Sequence, residues 1–473
     1  MKSKSFKSTV WGLRPNERVT ILILGDLAAG IIALFLSLYY WAMGDQWLKF
    51  SWKFLSTRPD FWYFLLPILW IFLLAEIYDV HQAARWKDTL RGVLIAALVC
   101  MGLYLVVYFT STPKSLPRRG VAAFIASAFL LTLIWRLLYI RIFTAKPFLR
   151  KVVILGAGKA GTTLVELLQG MNPQPFQVVG WIDDDPGKID TEILGYKVLG
   201  GNDCMLETIE ENDVTDLIVA ISGELNGSMF QGILDAQEQG VLVTTMPVIY
   251  EELFNRVPIF HLESDWVFRS FGEQAKTSGF YELGKRVLDI IGGLVGVLGM
   301  VIIFPFVALA TLIDTGRPIF YSQERLGRGA QPYNIIKFRT MVVESEKDGK
   351  PRFAKEHDSR VTRVGKFLRR SHLDEIPQFV NVLLGHMSLV GPRPERPGMV
   401  KELQKKIPFY RARLLVKPGI SGWAQVNFGY AGTVEDTATK LEYDLYYIKH
   451  RNLLLDITII IRTIGSMVGL KGL

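Results

Sequence analysis

Apolar residues fall along this chain in three rhythms. The first is long and unbroken: four apolar runs occupy about 19–43, 61–78, 92–110 and 120–143. Each is about long enough to cross a bilayer, for which a helix needs ~20 residues. They predict a bundle of four transmembrane helices over 19–145. Asp26 and Glu76 interrupt two of the runs. Such residues either face the bundle interior or lie near a span end, and the second reading is the plainer one. A fifth run, Ile290 to Ile313, carries no charge and holds Pro305 near its middle.

The second rhythm is that of strands. Lys151 to Leu155 reads as a buried strand, and Gly156-Ala157-Gly158-Lys159-Ala160-Gly161 follows it. An apolar helix pattern continues through Leu164, Leu167 and Leu168. This is G-x-G-x-x-G in the strand–turn–helix setting that gives the motif meaning. A second strand, Val178 to Ile182, ends in Asp183-Asp184-Asp185. A ribose-binding carboxylate belongs about there, ~20 residues on. Further strands are expected at 216–221 and 241–245, so 146–265 reads as a Rossmann-like α/β domain. The glycines either bind a nucleotide or only build a tight turn, with Gly158 expected at positive φ. No Tyr-x-x-x-Lys pair lies within the domain to do hydride chemistry, and a structural or regulatory role is the favoured reading. Residues 266–280 read as a linker.

The third rhythm is helical. Ile376, Phe379, Val380 and Leu383 recur at i, i+3, i+4 and i+7, a helix stripe that Pro377 can only begin. The C-terminal run, Leu453 to Leu470, has Asp456, Arg462 and Ser466 interspersed. It reads either as an amphipathic helix lying on the membrane or as a packed terminal helix.

Composition adds direction. Half of the 473 residues are hydrophobic, and the formal net charge is +9. The mean hydropathy of +0.25 points to the membrane. The excess of cations suits anionic lipid, nucleotides or phosphates, and no nucleic-acid partner is expected. The two cysteines, Cys100 and Cys204, make no disulfide framework. No cleavable signal pattern is seen at the first apolar run. Residues 1–18 form a basic tail, and Arg136, Arg141, Lys146, Arg150 and Lys151 follow the fourth run. Both clusters predict a cytoplasmic location, although Lys49, Lys53 and Arg58 also lie in the first outside loop. Tyr39, Tyr40, Trp41, Trp47, Trp62 and Tyr63 suit an interfacial belt.

Charge also bears on the fifth run. Lys285 and Arg286 precede it, and Arg317, Arg325 and Arg328 follow. Cations on both flanks disfavour placing either flank outside, and Pro305 can break the helix. Together these predict a re-entrant helical hairpin over 284–314 that reverses at Pro305. A simple fifth span is the alternative.

The candidate chemistry lies in 281–473. Asp374 and Glu375 stand just before the helix stripe, close to a helix N-terminus, where backbone N–H groups favour a phosphate. Lys337, Arg339, Arg360, Arg369 and Arg393 surround them in sequence. An acid pair among cations fits a phosphate-handling nucleophile. A solvated helix N-terminus would also favour acids there. Gly391-Pro392-Arg393-Pro394-Glu395 and Lys417-Pro418-Gly419-Ile420-Ser421-Gly422-Trp423-Ala424-Gln425 supply rigid turns that bring backbone and arginines to a ligand.

These blocks resemble the bacterial sugar transferase catalytic domain of the polyprenol-phosphate phosphoglycosyl transferases. Lys337-Phe338-Arg339-Thr340-Met341, Leu373 to Gln378, Gly391 to Glu395 and Lys417 to Val426 stand in the family's order. The four spans and the Rossmann-like segment resemble its long-chain branch. The chain departs from that branch at Phe428, where an Asn-Gly pair often follows Gln-Val. The resemblance implies a multi-domain membrane protein: a four-helix transmembrane bundle, a Rossmann-like α/β domain and an α-rich catalytic domain with a re-entrant membrane helix. It implies that Asp374 is the nucleophile toward a UDP-sugar, with undecaprenyl phosphate as acceptor and UMP as product, starting exopolysaccharide, capsule or O-antigen chains. Mg²⁺ is implied near Asp374, and Glu375 either shares it or acts as a base. Lys337, Arg339, Arg360, Arg369, Arg393, Glu395 and Gln425 are the substrate-binding candidates. Glucose, galactose and N-acetylated sugars all fit the resemblance. The site belongs on the cytoplasmic face of a bacterial inner membrane, and the N-terminal half offers a surface for a homodimer. Two rivals are a membrane-anchored nucleotide-sugar oxidoreductase or epimerase using the Gly156–Gly161 turn, and a non-catalytic export scaffold.

Overall fold

The computed structural model describes residues 15–45, 47–78, 83–110, 117–143, 149–172, 174–221, 223, 225–262, 279–342, 360–429 and 433–467. Residues 1–14 of the basic tail, Lys146 of the second basic cluster and 266–278 of the linker lie outside them. The chain divides into two units, Met1–Ile249 and Tyr250–Leu473.

In the first unit the helices Pro15–Met43, Trp86–Thr110 and Arg118–Phe143 hold stretches long and apolar enough to cross a membrane. The second expected span is irregular. It is a 3-10 turn, Phe61–Leu65, running into the helix Leu66–Leu73. A second 3-10 turn, Ala75–Tyr78, continues it with a break at Ile77, so at the usual rises the whole segment reaches roughly 30 Å, matching the ~30 Å hydrocarbon core. Polar pairs tie the helices together inside the bundle. Trp70 Nε1 donates to Thr132 Oγ1 at 3.0 Å, and Tyr63 Oη donates to Ser37 Oγ at 2.9 Å. Asp26 is not a span-end residue. It is fully buried against an equally buried Arg136, at 2.6 Å. Arg136 also donates to the Ile77 carbonyl at 2.8 Å, so this cation belongs to the bundle interior and not to the flanking basic cluster. A buried charge persists only when paired in this way.

The α/β part is a six-stranded sheet in the order β3-β4-β2-β1-β5-β6. The strands are β1 (Arg150–Leu155), β2 (Phe176–Ile182), β3 (Glu192–Ile193), β4 (Tyr196–Gly200), β5 (Asp216–Val219) and β6 (Leu242–Thr245). All neighbours are parallel except β3 with β4. Val152 to Leu155 are wholly buried, as expected of a central parallel strand covered on both faces. The β3–β4 hairpin was not anticipated. Leu194 and Gly195 both take positive φ in its turn, the type I′ geometry in which Gly195 is the readable signal.

The glycine motif is at its expected place after β1, but its strained position is Gly156, at φ 97°. Gly158 lies at φ −92° with open space around it, contrary to expectation. Gly161 is required by packing, because a Cβ there would strike the Gly156 carbonyl and Trp181. Asp183, the candidate ribose carboxylate, accepts from Ala157 N at 2.7 Å and from Lys188 Nζ at 3.0 Å. It fastens the glycine turn to β2, which favours the structural reading.

The second unit begins before the expected catalytic boundary. Val257 and Ile259, read as the end of the α/β domain, lie in one apolar core with Val390, Trp423, Leu441 and Ile459. The long apolar run is one helix, Gly279–Thr315, continuous through Pro305. The expected reversal at Pro305 is absent. Its first half packs on the segment after the dyad through Gly293 and Gly296, where a Cβ would strike Leu383 and Phe379. Its second half packs on Phe338 and Leu368 through Val307. The outward face is apolar: Ile291, Leu294, Val295, Leu298, Ile302 and Phe306 are exposed. The terminal helix Leu453–Met467 is arranged likewise, with Asp456 and Arg462 inward and Leu454 and Ile464 outward. Polar faces packed on protein and apolar faces left bare mark contact with lipid or another apolar surface.

Candidate active site

The dyad is carried by a short turn, not by the first turn of a helix. Helix Arg363–Arg370 ends, His372 takes the left-handed conformation at φ 55°, and a 3-10 turn, Leu373–Glu375, leads into helix Gln378–Leu383. The buried positions are Asp374, Pro377, Gln378, Asn381 and Val382, which share one face at helical spacing. The predicted stripe of Phe379 and Leu383 meets the glycines of the long helix instead. Asn381 was not singled out in the sequence, yet it fixes this segment. It accepts from Ile336 N at 3.1 Å and donates to Asn334 O at 2.8 Å. Those residues lie on β8 (Pro332–Phe338), which pairs antiparallel with β7 (Phe320–Leu326) and carries Lys337. A buried Asn one turn after Gln378 was the available signal.

Two loops bring in Arg393. The strands β9 (Ser388–Val390) and β10 (Gly419–Ser421) pair in parallel. Gly391 N donates to Ser421 O at 2.9 Å, and Gly419 N donates to Pro392 O at 3.0 Å. A Cβ on Gly391, Gly419 or Gly422 would strike the opposing backbone, so the two Gly-Pro motifs are glycines of close approach. Asp289 anchors β9 to the long helix by accepting from Ser388 Oγ and Leu389 N, both at 2.8 Å.

Glu375 is clamped. Lys337 Nζ lies 2.6 Å from its Oε1, and Arg393 Nη2 lies 2.7 Å from the same oxygen. Arg393 Nη1 reaches Oε2 at 3.4 Å. Burial would push the Glu375 carboxyl up, but the Arg393 and Lys337 charges hold it well below the usual range. Asp374 stands in the opposite state. It is buried, and its carboxylate has no hydrogen bond or ion pair among the described residues. Burial first, and then the Glu375 charge, push it upward, against Lys337, Arg369 and Arg393. Arg369 is held at Thr340 Oγ1 by Nε, at 2.9 Å.

Other candidates are placed elsewhere. Arg339 is buried and donates to Arg317 O at 3.1 Å, Thr315 Oγ1 at 2.6 Å and Gly316 O at 2.5 Å. It closes the C-terminal end of the long helix. Glu395 sits between Arg325 and Arg413, 3.7 Å from each, and holds its loop. Gln425 Nε2 donates to Ile420 O at 3.2 Å, within the β10 turn. The Arg360 carbonyl accepts from Val342 N at 3.1 Å, beside the Met341–Val361 bridge. No cluster of three or more His, Cys, Asp or Glu that could hold a metal occurs among the described residues.

Comparison with known proteins bears on both halves. Residues 280–469 match the family described as Bacterial sugar transferase, and residues 74–247 match a CoA-binding domain. The chain is 41% identical over 219 residues to a UDP-N-acetylgalactosamine-undecaprenyl-phosphate N-acetylgalactosaminephosphotransferase of Aeromonas hydrophila, covering 46% of this chain and 50% of that one. It is 32% identical over 330 residues to the UDP-glucose:undecaprenyl-phosphate glucose-1-phosphate transferase of Escherichia coli (strain K12), covering 67% of each. It is 26% identical to a UDP-galactose-lipid carrier transferase of Erwinia amylovora, covering 95% of this chain and 91% of that one. The matched stretch thus spans only half the length of the first of these relatives.

Proposed function

This chain belongs to the bacterial sugar transferase family, and we propose that it transfers a sugar 1-phosphate from a UDP-sugar to undecaprenyl phosphate, the substrate types named for its relatives. The asymmetry of the dyad carries this reading. Glu375 is held by two cations, while Asp374 lies buried among them with no partner among the described residues. A carboxylate so placed is a nucleophile set in a field that draws phosphate toward it.

In the proposed route an Asp374 oxygen attacks the phosphorus that bears the sugar. The bond from that phosphorus to UMP breaks, and UMP leaves with the electron pair. The sugar phosphate is then an acyl phosphate on Asp374. A phosphate oxygen of undecaprenyl phosphate attacks the same phosphorus, the bond to Asp374 breaks, and the carboxylate is restored. The product is an undecaprenyl diphospho-sugar, the first unit of an exopolysaccharide, capsule or O-antigen chain. Lys337 and Arg393 neutralise charge on the transferred group, which is most of what phosphoryl transfer asks of a protein. Glu375 fixes both cations and is a positioning residue. Asp374 fits Mg²⁺, a hard cation that keeps several waters and shares substrate phosphates. Glu375 fits it poorly, because both its oxygens face cations. The ion, when bound, would supply further charge neutralisation at the diphosphate.

Both halves of the long helix pack on one unit. This supports a helix whose two ends stay on one side of the membrane, with its bare apolar face in lipid. We place that side at the cytoplasmic face of a bacterial inner membrane, where the basic tail and nucleotide sugars belong.

The test is UMP release by the full chain in lipid nanodiscs with Mg²⁺, undecaprenyl phosphate and a panel of UDP-glucose, UDP-galactose and UDP-N-acetylgalactosamine. One sugar nucleotide should give UMP and a lipid product. Asp374→Asn should lower the rate by about a thousandfold or more while remaining folded and membrane-bound. Near-normal turnover by that variant would remove Asp374 from the role.

A further inference from the structure

We propose that a second anion-binding cleft lies at the far end of the dyad segment and holds the phosphate head of a polyprenyl monophosphate before transfer. This rests on the transferase reading above. The cleft is lined by Lys285, Arg286, Arg328, Lys417 and Arg451, the last lying over the Tyr281 ring, with Glu282 and Asp289 the carboxylates among them. Two of the cations are already committed. Lys285 donates to Asp456 Oδ2 and Tyr447 Oη, both at 3.0 Å. Arg286 caps the dyad helix by donating to Val382 O at 3.0 Å and Leu383 O at 2.8 Å. Lys417 and Arg328 are not committed: neither side chain has a hydrogen bond or ion pair among the described residues.

These cations converge. Gly385 has φ 84°, and a Cβ there would lie 3.7 Å from Lys417 Nζ and 3.8 Å from both terminal nitrogens of Arg286. Glycine therefore leaves room between two cationic heads. Partial burial, and then the Arg286 charge, pull the half-buried Lys417 ammonium below its ordinary value. Cations outnumber the carboxylates that line the cleft. The cleft is distinct from the dyad: Arg286 holds the Leu383 carbonyl, nine positions beyond Asp374. At helical rise this is roughly 13 Å.

The class of anion follows from charge and surroundings. A phosphate monoester carries ≈ −1.5 to −2 near neutral pH and three acceptor oxygens, whereas a phospholipid diester carries a single charge. Several cations with two uncommitted heads favour the monoester. Glu282, Lys285, Arg286 and Asp289 line the cleft from one face of the long helix, while Leu283, Val287, Ile290 and Leu294 are exposed on its other positions. An apolar tail leaving the cleft meets that bare surface. Inorganic phosphate has no such tail.

The full chain in nanodiscs tests this with Lys417→Gln and with Arg328→Gln, the latter an exposed position whose change leaves the core intact. Equilibrium binding of undecaprenyl phosphate is measured on the Asp374→Asn background, which does not turn over. Each variant should bind it about tenfold more weakly, the loss of one charge-assisted bond. On the active background the half-saturation for undecaprenyl phosphate should rise by the same factor. The UMP burst formed without lipid acceptor should keep its amplitude and rate. Unchanged lipid binding in both variants would overturn the proposal. So would an equal loss of UDP-sugar affinity, which would make the cleft a nucleotide site. Phosphatidylglycerol or inorganic phosphate displacing undecaprenyl phosphate at equal concentration would overturn it too, by showing a general anion site. A wild-type chain without a burst would refute the phospho-aspartate route, yet the binding comparison would still decide this proposal.

Discussion

Asp374 and Glu375 are neighbours in sequence with opposite electrostatic settings, and this predicts a pH profile. Asp374 must be ionised to attack. Its carboxyl is raised by burial and then by the Glu375 charge, so the acid limb of kcat/KM should lie above the ordinary aspartate range near 3.9. Glu375→Gln removes the negative neighbour and also frees the Lys337 and Arg393 charges that Glu375 had neutralised. Both changes lower the Asp374 value, so the acid limb should move to lower pH even as the rate falls. A limb that stays in place or moves upward would show that Asp374 does not govern it. The dyad, Lys337 and Arg393 were readable because charged residues bracket one acid pair in sequence. Arg339 reads in sequence as a phosphate contact, whereas its partners in the structure are two carbonyls and a hydroxyl at the end of a helix more than 20 positions earlier. Only the fold brings that helix end to β8.

At the scale of elements the long helix does more than present an apolar face. Hydropathy described its composition and proline, and these predicted a hairpin. It could not show that Gly292, Gly293 and Gly296 form a track on which Leu389, Leu383 and Phe379 ride. That track sets the height of the dyad turn, since Phe379 follows Glu375 by one helical turn. Gly296→Ala would drive a Cβ into the Phe379 ring and should cost about 1–3 kcal/mol by overpacking. It should also lower the rate of UMP release by displacing Asp374. Adding Phe379→Ala should recover part of both losses by making room. Thermal unfolding and initial rates of the two variants check this. A Gly296→Ala protein matching the wild type in both would mean the helices do not touch so closely. The α/β sheet was more legible, because a buried parallel strand writes its burial as an unbroken apolar run. The β3–β4 hairpin was missed because two short strands carry little pattern beyond Gly195.

At the scale of the molecule, the boundary between units decides which fragment can act alone. The sequence placed a linker at 266–280, which would let a fragment begin near Ser278. The packing argues for an earlier start. Val257 and Ile259 are almost wholly buried in the second unit, and burying each contributes about 1.5–3 kcal/mol. Trp423 Nε1 donates to Asn255 O at 2.9 Å, and Tyr446 Oη donates to Asn255 Oδ1 at 2.9 Å. Glu442 is buried with Tyr250 at 3.1 Å and Arg256 at 3.4 Å. Burial pushes its carboxyl up to about 7, with Arg256 and Tyr250 opposing that rise. A fragment from Gly279 would lose all of these partners and leave Glu442 buried without Tyr250 or Arg256. A fragment from Met246 keeps them and keeps the helix Met246–Phe254 whole. In nanodiscs at matched protein concentration, the Met246 fragment should resist limited proteolysis and release UMP. The Gly279 fragment should be destabilised by several kcal/mol and be cut rapidly. Equal resistance of the two would show that residues 250–262 are dispensable to the fold. A folded, membrane-inserted Met246 fragment without any UMP release would assign the first unit a part in catalysis, since every residue placed at the dyad and the second cleft is present in that fragment.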